Sequence, residues 1–209
     1  MVNFLKTKKK DKNTEDRIME AATRVFMTRG MTGARMQDIA DEAGINKALL
    51  HYYFSNKEKL FELIFIREAQ KFFPKIKMIF EADLSLQEKL ERFTEEYITE
   101  MLENPYLPWF IMNEINQNPD KFLYKIWGKN NLPRPEKFLE QIESEVKKGK
   151  IKPISPLQLF LNLLSMCIFP FVAKPMIQRN LGVDELQFRH TMEMRKKEIP
   201  RFIMESIKK

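Results

Sequence analysis

Cysteine is almost missing from this sequence: among 209 residues there is one, Cys167. A single thiol rules out an intramolecular disulfide framework. Its apolar neighbours Leu163, Leu164, Met166, Ile168 and Phe169 make it a small core residue. Histidine is limited to His51 and His190, so no metal set is expected, and no other cofactor is implied. Glycine-rich phosphate loops and a nucleophile elbow are both lacking. Acidic pairs such as Glu95-Glu96 fall on amphipathic patterns and read as solvated faces, so no catalytic residue and no enzyme is expected. No apolar stretch approaches the roughly 20 residues that span a bilayer. The order Val2-Asn3-Phe4-Leu5 followed by lysines reverses that of a secretory signal. A cytoplasmic protein without a membrane partner is the expectation.

Glycine is scarce as well, at six residues, and no run alternates as half-buried strands do. What is abundant is charge, at 31% of residues, with Leu, Met, Glu and Lys recurring at helical spacing. An all-α fold follows. Basic residues exceed acidic ones by seven. The first sixty residues hold twelve basic and eight acidic side chains, five of the basic ones at Lys6, Lys8, Lys9, Lys10 and Lys12. Residues 1–12 read as a basic flexible arm, suited to phosphate or simply solvated.

Beyond the arm, Ile18, Ala21, Ala22, Val25 and Phe26 form one helical stripe, with Asn13 or Thr14 as N-cap and Gly30 as terminator. Met36 to Ala43 forms a short helix ended by Gly44. Asn46 caps a second, from Lys47 to about Phe54. Ser55 with Glu58 predicts a capping box for a longer helix that Pro74 ends or kinks. Ser85 with Glu88 repeats that box. Pro108, Pro119, Pro135 and Pro156 mark later helix starts, Gly149 a stop and Asp184 the last cap, with Pro200 kinking the final helix.

Residues 36–54 have the grammar of a helix-turn-helix. Ala40 is small where two helices cross, and Gly44 supplies the positive φ of the sharp turn. Ile39, Ile45, Leu50 and Tyr53 are apolar where the helices share a core. With Leu50 inward, a rotation of about 100° per residue turns Lys47, Ala48, Leu49, His51 and Tyr52 outward. An apolar side chain and two rings suit a DNA major groove, where thymine methyls and phosphates can be met. Packing against another part of the chain is the plainer alternative.

The stretch Ile39-Ala40-Asp41-Glu42-Ala43-Gly44-Ile45-Asn46-Lys47, with Tyr53-Phe54, Lys57 and Leu60, closely resembles the DNA-binding segment of TetR/AcrR-type repressors. The likeness covers about residues 15–65. It implies an N-terminal three-helix DNA-binding domain and a larger C-terminal helical domain for ligand binding and dimerisation. The boundaries expected are 1–12 for the arm, 13–56 for the DNA-binding domain and 57–209 for the C-terminal domain. It further implies that Lys57, His51 and Tyr52 contact the DNA backbone, that Lys47, Ala48 and Leu49 approach bases, and that Gln37 reaches DNA. His51 stands where tyrosine is commonest. Ala34-Arg35 replaces the usual hydroxyl cap, and Arg35 is taken to reach the backbone in its place.

Residues 97–171 are rich in bulky apolar side chains. The resemblance implies that some enclose a small-molecule effector. Trp109, Phe110, Trp127 and Met166 are the candidates, with Asn113 and Asn162 to orient the ligand. Helices at about 156–181 and 184–207 resemble a dimer-forming pair, with Leu157, Phe160, Leu161, Leu164 and Ile168 on one and Leu186, Met194 and Ile203 on the other. The expected partners are a palindromic double-stranded DNA operator, a second copy of the chain and an apolar or amphipathic effector. The alternatives are a helix-turn-helix regulator whose C-terminal domain binds a protein, and a helical enzyme.

Overall fold

The computed structural model describes residues 2–127 and 135–209, and side chains from residue 13 onward except that of Trp127. Among the described residues there are eleven helices and no strand, only an isolated bridge between Ile151 and Lys208. The chain divides into two compact units, 1–68 and 69–209.

The first unit holds α1 (Val2–Gly33), α2 (Met36–Glu42), α3 (Lys47–Tyr53) and the opening turns of α4 (Lys57–Glu81). Its core is the stripe read from the sequence: Ile18, Ala21, Ala22 and Phe26 are fully buried, with Ile39 and Ala40 from α2 and Leu50 from α3. Leu60 and Phe61 of α4 complete it, and the Phe61 ring meets Phe26 edge-on at 5.1 Å. Burying a side chain the size of Phe26 contributes about 1.5–3 kcal/mol. The first compact unit therefore takes in the opening turns of α4, to residue 68.

Two further differences concern helix ends. α1 begins at Val2 and shows no break at Asn13 or Thr14, because residues 2–13 contain neither glycine nor proline and lysine is a good helix former. The arm's side chains lie outside the described residues. Gly30 does interrupt α1, with φ +69°. α4 is capped by Asn56, whose side-chain oxygen accepts the Lys59 N–H at 2.8 Å, and not by Ser55.

In the second unit α5 (Leu86–Glu103) is central, burying Leu86, Leu90, Phe93, Thr94, Tyr97, Ile98 and Met101. Its Ser85–Glu88 capping box forms as expected. α11 (Glu185–Ile207) packs along α5 and sends Phe188, Met192, Ile199 and Ile203 inward. The remainder of α4 joins them through Phe80, stacked on Phe93 at 5.1 Å. The buried Lys89 ammonium donates to the Phe80 carbonyl at 2.8 Å, satisfying an acceptor near the end of α4. Around these lie α6 (Leu107–Gln117), α7 (Pro119–Trp127), α8 (Glu136–Lys147), α9 (Pro156–Val172) and α10 (Lys174–Leu181). No single described helix is long and apolar enough to cross a membrane. The pair α9 and α10 would pass by length and composition, but it bends by 69° at its break.

Candidate nucleic-acid interface and an apolar cavity

The turn between α2 and α3 is closed by the backbone itself. Gly44, at φ +64°, donates its N–H to the Asp41 carbonyl at 3.1 Å, and Ile45 donates to Ala40 at 3.0 Å. This is a Schellman motif, and it needs a left-handed residue at the glycine position. The Arg17 guanidinium reaches from α1 to the Ala43 carbonyl at 2.7 Å, so a third acceptor at the end of α2 is satisfied. On the far side of the turn the Asn46 side chain accepts the Leu49 N–H at 2.7 Å and starts α3.

This frame leaves one face of α3 uncovered. Lys47, Ala48, Leu49 and His51 are exposed, and Tyr52 is 82% exposed, while Leu50 is buried. The face therefore has the composition read from the sequence. His51 lies with Nδ1 3.3 Å from the Ser55 carbonyl oxygen. Tyr52 stands edge-on to Tyr53 at 5.4 Å. Arg35 and Gln37 are exposed at the start of α2. Arg35 donates its backbone N–H to the Asp38 carboxylate, and the Gln37 amide donates to Asp41 at 2.7 Å. Acidic groups beside the face are offset from within: Arg29 pairs with Asp38 and Arg24 with Glu42, each at 2.7 Å.

Lys57, expected to contact phosphate, has partners within the first unit. Its ammonium donates to the carbonyls of Met31 at 2.9 Å, Ala34 at 3.1 Å and Thr32 at 3.5 Å. Three donors thus face three acceptors where α1 ends, and the charge is spent on holding that end against the start of α4.

The second unit contains an apolar cavity of about 280 Å³. Its walls come from α4 (Phe72, Phe73, Ile76, Phe80), α5 (Phe93, Tyr97), α6 (Ile111, Met112, Ile115) and α9 (Phe160, Leu164, Ile168). None of the expected effector residues that are described lines it. Trp109 is 56% exposed, and Phe110 is buried against Phe122. Asn113 accepts a hydrogen bond from Gln117, and Asn162 is exposed. Met166 is half-buried and gives its carbonyl to Arg195, while the side chain of Trp127 lies outside the described residues. Helices α6 and α9 do line the cavity, through other faces than those of the expected residues, because bulk and composition do not reveal which side of a buried helix meets empty space. The α4 wall carries a signal that was missed: Phe72, Ile76 and Phe80 recur every four residues.

The dimer candidates divide similarly. Leu157 and Leu161 of α9 and Leu186 and Met194 of α11 are exposed. Phe160, Leu164 and Ile168 turn to the cavity instead, and Ile203 is buried in the core.

Two short helices joined by a glycine turn, with the second presenting an uncovered face, define a helix-turn-helix protein. Residues 18–64 match the model of the bacterial regulatory proteins of the tetR family. The transcriptional repressor NicS of Pseudomonas putida is 46% identical over 48 residues, 23% of each chain. The transcriptional regulator PksA of Bacillus subtilis is 36% identical over 81 residues, 39% of this chain and 40% of its own. These matches thus span well under two thirds of the relatives' length. A TetR-family regulator from Mesorhizobium loti shares the fold at a TM-score of 0.59 and 18% identity, over 94% of this chain and 98% of that one. The likeness to the tetR-family regulators therefore lies in residues 18–64 by sequence and in the helical fold as a whole. The relatives it matches are named as transcriptional regulators.

Proposed function

We propose that the protein is a transcriptional repressor that binds a palindromic DNA operator as a homodimer and is released when a small apolar or amphipathic effector occupies the cavity of the second unit. The uncovered face of α3 carries this reading. Leaving Leu49 and Tyr52 in water has no packing benefit, and both gain from contact in a major groove. Arg35 and His51 supply donors for phosphates, Lys47, Ala48 and Leu49 approach the bases, and Gln37 reaches the DNA from α2. A single seven-residue helix reads few bases, so specificity needs two copies on a two-fold site.

The exposed residues Leu157, Leu161, Leu186 and Met194 supply the apolar surface for pairing. A tightly filled second unit would have favoured a protein partner over a metabolite. The cavity of about 280 Å³, near the lower end of ligand-pocket sizes, supports the metabolite.

The test is fluorescence anisotropy with a duplex enriched by the protein from a random pool. Tyr52→Ala is expected to weaken binding about tenfold, as the ring and its backbone contact are lost, with thermal unfolding unchanged. Unchanged binding of Tyr52→Ala together with Lys47→Ala would remove α3 from the DNA contact.

A further inference from the structure

The apolar cavity has a sign as well as a size. Among the described residues no acidic side chain lines it, and Lys77 of α4 is the one charged residue of the wall. Lys77 is half-exposed. Among the described residues its ammonium has a single polar partner, the Glu81 carboxylate one turn along the same helix at 3.7 Å, beyond hydrogen-bond distance. Its donors are therefore open to a stronger acceptor. The one other polar side chain among the described residues of the wall is Tyr97. The rest are aliphatic or phenyl side chains and the Met112 thioether.

We infer that the effector is a small amphipathic anion: a hydrocarbon or aromatic tail of about ten non-hydrogen atoms ending in a carboxylate. The inference rests on the ligand-released reading above and deepens it. A cavity of about 280 Å³ admits a small tail only. Phe72, Phe73, Phe80 and Phe93 take up the tail by removing apolar surface from water. The head stays at the rim, where it need not shed all its hydration and Lys77 answers its charge. Phenyl faces alone would also attract an organic cation. Here the ammonium of Lys77 repels one, and no carboxylate in the wall offsets that repulsion.

The experiment uses three probes of one shape: phenylbutyrate, phenylbutanol and phenylbutylamine, titrated calorimetrically into the full chain. Phenylbutyrate is expected to bind tightest and phenylbutylamine weakest. Lys77→Met should weaken phenylbutyrate about fivefold while leaving phenylbutanol unchanged, and Lys77→Arg should restore the acid. The side chain is half-exposed, so both variants should fold like the parent, which circular dichroism verifies. Tighter binding of the alcohol or amine, equal binding of acid and alcohol, or indifference of the acid to Lys77→Met would each overturn the anion assignment. So would failure of all three probes to bind.

Operator release is read separately, by anisotropy. Release by phenylbutanol or phenylbutylamine at lower concentration than by phenylbutyrate would keep the ligand-released reading while refuting the anion. Binding of phenylbutyrate without release would support the anion and count against the release.

Discussion

Removing the Lys57 ammonium separates two roles that one lysine could have at the start of α4. In Lys57→Met the stem keeps its apolar contacts, and the carbonyls of Met31 and Ala34 lose donors at 2.9 and 3.1 Å. A hydrogen bond with a charged donor contributes about 1.5–3 kcal/mol. Lys57 is half-exposed, so water can replace part of that, and releasing a long side chain regains up to about 2 kcal/mol of rotamer entropy. The net loss should be about 2 kcal/mol, a fall in melting temperature of roughly 4–8 °C for a chain of this size. Operator affinity should drop too, because the end of α1 and the turn before α2 lose their anchor. The slope of log affinity against log salt should stay as in the parent. A phosphate contact would behave differently, since each one lost lowers that slope by about 0.9. Thermal unfolding by circular dichroism, with anisotropy between about 50 and 200 mM salt, measures both. An unchanged melting temperature with a shallower slope would refute the reasoning and return Lys57 to the DNA backbone.

Asn46→Ala removes the cap that holds the first turn of α3. It should cost about 1 kcal/mol in chemical denaturation and weaken operator binding as the helix frays. In the Ser85–Glu88 box, the Ser85 hydroxyl at 2.7 Å and backbone N–H at 2.9 Å hold the Glu88 carboxyl below its ordinary value of 4.5. That stabilisation is present above the ordinary value and is lost as pH falls through the lowered one. Melting curves of Glu88→Gln against pH should therefore be flatter than the parent's on the acid side, and parallel curves would contradict this. The double variant Leu161→Glu, Leu186→Glu places four carboxylates in the proposed pairing surface, counting both copies. It should sediment as a folded monomer where the parent sediments as a dimer.

Local signals in the sequence were reliable where the physics is local. Asn46, Ser85 and Asp184 cap the helices they precede, and Gly44 and Gly149 take the positive φ that ends theirs. The outward face of α3 was legible because fixing Leu50 inward fixes the other six residues by rotation alone. Signals failed where a competing partner decides the outcome. Asn56 stands one residue closer to α4 than Ser55 and takes the cap. Lys57 looks free in sequence, but three carbonyls 23 to 26 residues upstream claim it. The cavity was least legible of all. Whether Leu164 or Asn162 faces the void depends on how α9 packs against α4, α5 and α6, and no spacing within α9 encodes that.

The burial pattern of α3 has a consequence for how the protein can change. Leu50 is the one buried residue of the helix, with Tyr53 half-covered, and the other five are exposed. Two helical turns could not hold their shape alone, so rigidity is borrowed from the Arg17 latch, the glycine turn and the Asn46 cap. The proposed reading surface and its support are therefore made of different residues. Swapping Lys47, Ala48, Leu49, His51 and Tyr52 should retarget the molecule to another DNA sequence at little cost in folding. The chain behaves like a handle with an exchangeable bit.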